Sequence, residues 1–451
     1  MTNYRYLANF IVEADTPLKV GSGDSSLLTD ALIMTDCYGL PMILGTSLTG
    51  VLRHSLSHTI PNEDINDIFG YQQKKKNDGA GSRLIVSNAY FVIDGNKAIE
   101  GITEIDWDNP IIKRIKDLPL RQHAKISHLG TADKINHGKY DEQVVYKGTR
   151  FCFEIELIGS ENDKENWGKI IDQISQENFR IGGGTRKGFG KLKVIELRTK
   201  VFNLKNDINS YLSKTASVND LAIYDEPKNE IVPKHTGWTK YSLTLEPENT
   251  WLFGSGFGDD DVDMTPVYED IISWDSNHKP SIVKKQILIP ATSIKGAVSH
   301  RVAYHYNKLN NIFADDENIS VNDHVGENNE AVNTLFGSAK NTKKGISGSR
   351  GIVILSDLFV SNENSEKIFN HVAIDRFTGG ALDSALYDEK VITQKNEIKL
   401  EIFVEACNLN ETIKEAFKNT LSDICSGNLP LGGGTMRGHG CFTGKMEVIN
   451  G

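Results

Sequence analysis

An internal duplication on the scale of a whole domain constrains the fold of this 451-residue chain more than any other feature. Six blocks of the first half recur in the same order in the second half: GSG at 21–23 and 254–256, GTSLTGVLRHSL at 45–56 and ATSIKGAVSHRV at 291–302, IFGYQ at 68–72 and LFGSA at 335–339, RLIVSNAYFV at 83–92 and GIVILSDLFV at 351–360, GTRFCFEIEL at 148–157 and NEIKLEIFVE at 396–405, and GGGTRKGFG at 182–190 and GGGTMRGHG at 432–440. Ordered repetition of this kind indicates two copies of one fold.

The repeat predicts two domains, at 1–197 and 236–451. The stretch between them, 198–235, is polar and rich in Asn, Lys and Asp. Such a composition is typical of a linker or of a peripheral insertion, and the sequence leaves both alternatives open.

The apolar pattern predicts the order of elements within one copy. Ser and Thr at 46–47 and at 292–293 are expected to cap two equivalent helices. The remaining predicted elements are strands at 4–14, 83–94, 150–158, 191–197 and 241–247 and a helix at 164–178. The order is β-α-β-β-α-β, which predicts an α+β, ferredoxin-like domain with an antiparallel sheet and helices on one face.

Composition excludes several classes of protein. No apolar run approaches the length of a membrane span, and the first residues carry no basic region followed by a long apolar run, so we expect a cytoplasmic protein. The five cysteines form no CxxC pair, which predicts free thiols. The net charge of −10 argues against bulk attraction to nucleic acid but permits a local basic groove. Short basic runs lie at 74–76 and at 343–350.

The glycine-rich loops do not match a nucleotide-binding motif. Gly190 and Lys191 are followed by Leu192, whereas a P-loop requires Ser or Thr there, and each loop is predicted to follow a helix and to precede a strand. A glycine-rich loop with basic residues still permits close approach to an RNA backbone. The alternative is a structural turn with positive φ angles.

Several ordered motifs resemble the RAMP superfamily of CRISPR proteins. Both glycine-rich loops resemble the glycine-rich loop of that family, and 17–54 resembles the opening of backbone subunits of type III effector complexes. IDRFTGGALDSALYDEKVI at 374–392 is similar to the family's thumb, and 126–145 is a degenerate counterpart. Two fused domains resemble the double-domain subunit of type III-D-like complexes.

This resemblance implies two RRM-like, ferredoxin-like RAMP domains with thumb insertions. It implies a subunit that holds CRISPR RNA (crRNA) together with complementary target RNA inside a multi-subunit effector complex. In active relatives an aspartate supports metal-dependent cleavage of target RNA, so the expected cofactor is a divalent cation, Mg²⁺ or Mn²⁺. The alternatives are a scaffold without cleavage and a crRNA-processing endoribonuclease.

The resemblance also suggests which residues act. Asp30 stands where the cleaving, metal-binding aspartate is expected. The second half offers several acidic residues at the equivalent place, of which Asp263 and Asp270 rank first. Hydroxyls, cations and helix N-termini suit phosphate. The candidate RNA-binding residues are Thr46, Ser47, Arg53, Arg186, Lys187, Thr292, Ser293, Lys295, Arg301, Arg376, Phe377 and Arg437.

Overall fold

The computed structural model describes residues 2–26, 29–73, 78–124, 126–127, 139–228, 237–339, 347–362, 366–393 and 397–450. The elements of the first domain are β1 (Tyr4–Ala14), α1 (Gly45–Leu56), α2 (Asn62–Phe69), β2 (Tyr71–Gln72), β3 (Gly79–Ala80), β4 (Leu84–Val86), β5 (Tyr90–Asp94), β6 (Lys97–Ala98), α3 (Pro110–Lys116), β7 (Leu120–Ala124), β8 (Lys139–Gln143), β9 (Arg150–Gly159), α4 (Lys164–Ile174) and β10 (Leu192–Asn203). A short helix, α5 (Ile208–Leu212), follows.

The second domain repeats the main elements in the same order and has two further strands between its first strand and its first helix. They are β11 (Trp238–Pro247), β12 (Tyr268–Trp274), β13 (Pro280–Ile289), α6 (Ala291–Leu309), α7 (Glu330–Phe336), β14 (Gly337–Ser338), β15 (Ser349–Arg350), β16 (Val353–Leu355), β17 (Leu358–Val360), β18 (Glu366–His371), β19 (Tyr387–Ile392), β20 (Ile398–Glu405), α8 (Glu411–Cys425) and β21 (Phe442–Asn450). We call β7 with β8 the first thumb hairpin and β18 with β19 the second.

The two main sheets share four strands in the same order. In the first domain the strand order is β10-β1-β9 with β4 and β5 both beside β9, and in the second it is β21-β11-β20-β16. Neighbouring strands in both sheets are antiparallel. This is the ferredoxin-like arrangement, so the predicted α+β fold is confirmed for both halves.

The strand predicted at 83–94 is interrupted in the structure. Val86 pairs with Ile155 and Tyr90 pairs with Cys152. Between these two pairs the outer strand has one more residue than β9. An extra residue of this kind is a β-bulge, which ends one short strand and begins the next. Alternation alone does not reveal a bulge, because the apolar residues continue on both sides of it.

Each domain buries one face of its sheet under two helices, α1 and α4 in the first domain and α6 and α8 in the second. The apolar residues of α1 and α6 recur every four positions, so they lie on one helical face. The buried residues of these two helices include Leu48, Leu52, Leu56, Ile294, Val298 and Val302. Among the described helices, none has the length and apolar composition required to cross a membrane.

The predicted helix caps are wrong. Helix α1 begins at Gly45 and α6 begins at Ala291, so the Ser and Thr side chains lie inside the first turn and make no capping hydrogen bond. The free N–H groups are satisfied from the neighbouring strand instead. Asn88 Oδ1 accepts from the Gly45 N–H at 2.9 Å, and Asp357 Oδ1 accepts from the Ala291 N–H at 2.8 Å. A tertiary contact therefore replaces the local cap.

The stretch 198–235 is not a simple linker over its described part. Strand β10 continues past 197 to Asn203. The chain then crosses the open face of the first sheet, where Val218 and Tyr224 are buried against residues of β1 and β9. We call residues 204–228 the sheet cover. Residues 229–236 lie outside the described part of the chain.

The two domains pack closely against each other. Arg121 of the first thumb hairpin pairs with Glu269 at 2.6 Å and with Asp357 at 2.8 Å, and all three side chains are buried. Trp274 donates its indole N–H to Gly148 O at 2.7 Å. The first domain therefore presents its thumb-hairpin side to a different side of the second, which makes the contact heterologous.

Candidate nucleic-acid interface

Each glycine-rich loop is hydrogen-bonded to the segment that follows the first strand of its own domain. The Gly183 N–H donates to Lys19 O at 2.6 Å, and the Gly433 N–H donates to Leu252 O at 2.7 Å. Gly182 has φ +83°, and a Cβ there would lie 2.1 Å from the same Lys19 oxygen. The glycines therefore have a structural role, because the positive φ and the close approach both exclude a side chain.

A buried carboxylate ties the first glycine-rich loop to the first thumb hairpin. Glu142 lies with one oxygen 2.7 Å from His123 Nε2, and it also contacts Lys19 and Lys187. Burial by itself would raise the pKa of Glu142, but the contacts with His123 and Lys19 lower it to about 2. His123 stacks on Tyr140 with ring centroids 4.8 Å apart, and Lys187 Nζ donates to the Tyr140 hydroxyl at 2.7 Å.

The second domain repeats this arrangement with different cations. Glu389 Oε1 lies 2.7 Å from His371 Nε2 and 3.1 Å from His439 Nε2, and Glu389 Oε2 accepts from Arg437 at 2.9 Å. His371 stacks on Tyr387 at 4.8 Å, and Arg437 also contacts the Tyr387 hydroxyl. The carboxylate has no exposed side-chain surface.

These two carboxylate clusters were missed by the sequence interpretation. The signal was present, because YDE at 140–142 recurs as YDE at 387–389. Lys187 and Arg437, both predicted to bind RNA, occupy equivalent positions in the two clusters. Each is about one-third exposed, at 38% and 35% respectively, so each cation combines a buried anchor with a solvent-facing side.

Asp30 and Asp263 occupy equivalent positions beside the thumb hairpins. Asp30 Oδ2 accepts from the Asp141 N–H at 3.0 Å, and Asp263 Oδ2 accepts from the Asp388 N–H at 3.0 Å. The residues after them form parallel bridges with Glu142 and Glu389 respectively. Asp263 is therefore the structural counterpart of Asp30.

Asp270 does not occupy the equivalent position. Its Oδ1 accepts from the Lys285 N–H at 2.9 Å, and its Oδ2 forms an ion pair with Arg114 at 2.8 Å. Arg114 belongs to the first domain, so Asp270 lies in the contact between domains. Spacing within the repeat agrees with this, because Asp263 follows Gly254 by nine residues, as Asp30 follows Gly21.

The surroundings of Asp30 offer few ligands for a divalent cation. Among the described residues, no group of three or more His, Cys, Asp or Glu side chains is placed to hold a metal ion. Asp30 uses one oxygen for the Asp141 N–H, which leaves one oxygen free of protein contacts in the described part of the chain. Mg²⁺ is commonly bound by one or two carboxylates with substrate phosphates and water, so this donor set fits only if RNA oxygens complete the shell.

Cations converge where the first glycine-rich loop meets the N-terminus of α6. Gly188 lies so close that a Cβ there would be 2.6 Å from the Ala291 side chain. The pKa of Lys295, in the second turn of α6, is lowered by burial and by the nearby positive charges of Lys187 and Arg186. Within the described residues, the Lys295 ammonium has no carboxylate partner. We call Lys187, Arg186, Lys295 and the start of α6 the junction site.

Arg186 contributes charge to the junction site, but its side chain is directed between the domains. Its Nε donates to Gly351 O at 3.0 Å, and its guanidinium lies 5.8 Å from the Trp238 ring centroid. Burial, followed by the positive charge of Arg350, lowers the pKa of Arg186 to about 10. The equivalent position in the second loop is Met436, which is fully exposed.

Two other predicted RNA-binding arginines make contacts within their own domains. Arg53 donates to Gly70 O at 2.6 Å and to Asn66 Oδ1 at 2.7 Å. Arg301 pairs with Asp423 of α8 at 2.6 Å. The hydroxyl residues in the first turns of α1 and α6 are partly or fully accessible: Thr46 and Ser293 are exposed, and Ser47 and Thr292 are half-buried.

The second thumb hairpin presents an apolar tip to solvent. Phe377 is fully exposed, and the adjacent Arg376 is exposed as well. A local turn fixes the backbone, because Asp375 Oδ1 accepts from the Phe377 N–H at 3.0 Å and Asp375 Oδ2 accepts from Thr378 at 2.9 Å. The tip of the first thumb hairpin, 128–138, and the lysine runs at 74–76 and 343–344 lie outside the described residues.

Fold and site together define a protein of two ferredoxin-like domains joined by a heterologous contact, with repeated glycine-rich loops and thumb hairpins. A sequence model of the RAMP superfamily matches residues 11–193 and 283–443, which is more than half of the chain. The chain therefore belongs to the RAMP superfamily of CRISPR-associated RNA-binding subunits and carries the RAMP domain twice. A comparison with curated proteins gives no match.

Proposed function

We propose that this chain is a crRNA-binding backbone subunit of a type III CRISPR effector complex. The observation that carries the proposal is the junction site. Burial and the neighbouring cations lower the pKa of Lys295. Without a bound anion, keeping the ammonium charged in this place costs free energy. A phosphodiester placed there would relieve the repulsion between Lys295 and the neighbouring Lys187 and Arg186.

The same site explains how RNA would be held without base readout. The glycine-rich loop brings backbone close to the groove, and Lys187 and Arg437 repeat at one position per domain. Contacts of this type bind phosphate and carry no sequence information. Target choice would then come from base pairing to the guide, as in other guided systems.

The proposal includes metal-dependent cleavage of target RNA at Asp30 and Asp263. Their equivalent hydrogen bonds to Asp141 and Asp388 hold each carboxylate beside the second strand of a thumb hairpin. When bound, Mg²⁺ or Mn²⁺ would polarise a phosphate oxygen. Asp30 and Asp263 would hold and orient the ion through their free oxygens. The fully exposed Phe377 supports a thumb that stacks on a duplex end.

The chain would act beside other subunits of the complex. The internal contact is heterologous, so each domain also carries its own copy of the surface that the other domain uses, although the sheet cover occupies part of that copy on the first domain. Met436, the counterpart of Arg186 in the second glycine-rich loop, is fully exposed, whereas Arg186 contacts Gly351 of the second domain. The assignment to a type III-D-like double-domain subunit is part of this proposal.

Reconstitution with the other complex subunits, crRNA and a matched target tests the proposal. Asp30→Asn and Asp263→Asn preserve an acceptor for the hairpin N–H but remove the charge. We expect each to abolish one cut in Mg²⁺ while crRNA stays bound. Asp270→Asn is the matched control, because its carboxylate pairs with Arg114, and it should leave every cut in place.

RNA binding is tested separately from cleavage. Lys295→Gln should weaken crRNA binding and reduce the salt dependence by about one counterion. Lys308→Gln, at the exposed end of the same helix, is the control. Unchanged binding and an unchanged salt slope for Lys295→Gln would remove the junction site from the RNA path.

A scaffold without cleavage is the second candidate. It is favoured by the thin donor set, since the described residues contain no cluster of metal ligands. Intact crRNA binding with uncut target in Mg²⁺ and in Mn²⁺ would establish it. A crRNA-processing ribonuclease is the third candidate. His54 Nε2 lies 2.7 Å from Arg350 Nη1, and burial and the charge of Arg350 lower the pKa of His54. His54 is therefore uncharged at neutral pH, and the role left for it in this candidate is that of a general base.

A further inference from the structure

The contact inside the chain shows how one RAMP domain receives an arginine from another. Arg121 projects from the first thumb hairpin and enters the second domain between Glu269 and Asp357. Asp357 also accepts the first N–H of α6, so one carboxylate serves both its own helix and the incoming arginine. We call this pair of acceptors the filled seat.

The duplication places a corresponding seat on the first domain. Asn88 accepts the first N–H of α1, as Asp357 does for α6. The bridge between Thr35 and Pro41 corresponds to the pairing of Tyr268 with Ile287, which aligns Asp36 with Glu269. Asp36 and Asn88 therefore stand where the two acceptors of the filled seat stand.

A cleft of about 470 Å³ opens at this position. Its lining includes Asp36, Asn88, Tyr38, Tyr90 and Glu100, and among the described residues the lining contains no Lys or Arg. Asp36 Oδ1 accepts from the backbone of its own turn, which leaves Oδ2 available. Glu100 already accepts hydrogen bonds from Ser217, Val218 and Asn219 of the sheet cover, so Asp36 supplies the available carboxylate oxygen among the described lining residues. One carboxylate oxygen beside the rings of Tyr38 and Tyr90 suits a guanidinium group.

We infer that this cleft, the outer seat, takes an arginine side chain carried on a β-hairpin of a different protein subunit. The inference rests on the proposed role in a multi-subunit complex. Three observations carry it: the register equivalence with the filled seat, the cleft itself, and the available oxygen of Asp36 beside two aromatic rings. The outer seat has one fewer carboxylate than the filled seat, since Asn88 replaces Asp357, so the contact is weaker and suits a separable subunit.

A second copy of this chain does not fit the outer seat. The position equivalent to Arg121 in the second thumb hairpin is Phe369, because Arg121 pairs with Glu142 and Phe369 pairs with Glu389. A phenyl ring offers no hydrogen bond to Asp36. The charge pattern therefore selects a partner that differs from this chain.

The sheet cover restricts how that partner can approach. In the second domain Lys240 contacts Glu177 of the first domain at 2.9 Å. The equivalent strand position in the first domain is Leu7, which packs against Tyr224 of the sheet cover. A partner therefore cannot reproduce the whole internal contact, and the hairpin arm is the part that remains free to dock.

Cys37 is a native probe for the outer seat. It lines the cleft and is exposed in the chain alone. Alkylation of Cys37 is measured by peptide mass spectrometry in the free chain and in the complex purified with its own partner subunits and crRNA. In the Cys407→Ser background, benzophenone-maleimide is then attached at Cys37 and photolysed in the complex. We expect slower alkylation by at least tenfold in the complex, and a cross-link to an arginine-bearing hairpin of another subunit.

Matched variants test the charge. Asp36→Asn keeps an acceptor for its turn but removes the charge, and it should restore alkylation of Cys37 in the complex. Asp275→Asn is the control, because Asp275 holds a turn of the same kind, at another register position and away from the cleft, through the N–H groups of Asn277 and Lys279 at 2.8 Å each. It should leave protection unchanged.

The outcomes separate this inference from the proposed function. A complex that forms and retains crRNA while Cys37 reacts as in the free chain overturns the outer seat alone. A cross-link to RNA or to a second copy of this chain overturns it as well. A chain that neither joins a complex nor binds crRNA overturns both proposals.

Discussion

Arg121 of the first domain and Asp357 of the second form an ion pair at 2.8 Å that is closed to solvent on both sides. Burial opposes the charge on Arg121, but Glu269 and Asp357 more than offset it and raise the arginine's pKa above its usual value. Since Asp357 also accepts the first N–H of α6, this pair couples the first thumb hairpin to the helix start at the junction site.

Loss of Arg121 should destabilise the chain strongly. Arg121→Ala leaves two buried carboxylates without their partner, and breaking such a pair costs about 3–5 kcal/mol. Equilibrium unfolding in urea measures the change. Arg376→Ala, at the exposed thumb tip, is the control and should stay within about 0.5 kcal/mol of wild type. A small effect of Arg121→Ala would show that the domains separate without cost.

Glu142 should make stability depend on acid pH. Its pKa is about 2 in the folded chain against an ordinary value of 4.5, so the stabilisation is complete above pH 4.5 and is lost as pH falls towards 2. Glu142→Gln should be less stable near neutral pH and flatter across that acid range. Unfolding free energies between about pH 6 and pH 2 measure this. The exposed Glu63→Gln should keep the wild-type slope; equal slopes for both variants would contradict the prediction.

Alanine variants of two equivalent glycines should distinguish the cost of backbone strain from the cost of disturbing the contact between the domains. Gly188 and Gly438 are equivalent and both have positive φ, at +110° and +89°. A Cβ at Gly188 would lie 2.4 Å from Asp357 Oδ1, whereas a Cβ at Gly438 meets nothing within 4 Å among the described residues. Both alanine variants should lose about 1–3 kcal/mol from strain. Gly188→Ala should lose more, measured by urea unfolding. Equal losses would mean that the loop and α6 move apart freely.

The exposed Phe377 should matter for RNA and not for folding. Phe377→Ala removes a fully exposed ring, so the free energy of unfolding should change by less than about 0.5 kcal/mol. Binding of paired target RNA should weaken by about 1–3 kcal/mol if the ring stacks on a base. Filter binding with the assembled complex measures this. Leu386→Ala, also exposed on the second thumb, serves as the comparison.

Repetition made most of the fold predictable. The strands of β1, β9, β11 and β20 and the faces of α1 and α6 follow from apolar periodicity, which depends only on local sequence. The helix caps were not predictable in this way. Asn88 and Asp357 supply them from distant strands, and a Ser or Thr at the expected place was a misleading local signal.

The candidate site was only partly predictable for the same reason. Lys187 and Arg437 stood out because they repeat within glycine-rich loops. The buried partners Glu142 and Glu389 were overlooked, although YDE repeats in both halves. Asp263 could have been ranked above Asp270, because it follows the repeated GSG motif at the same distance as Asp30 does. The structure adds that Asp270 contacts the first domain.

The sequence by itself determined that the chain is a duplicated ferredoxin-like protein with paired glycine-rich loops and thumb segments, because periodicity and repetition are local properties of the chain. Only the tertiary structure decided that Arg121, Arg186 and Asp270 serve the domain contact, and that Lys295 lies near Lys187. These relationships join residues that are far apart in sequence, and they arise where the two copies pack through different surfaces.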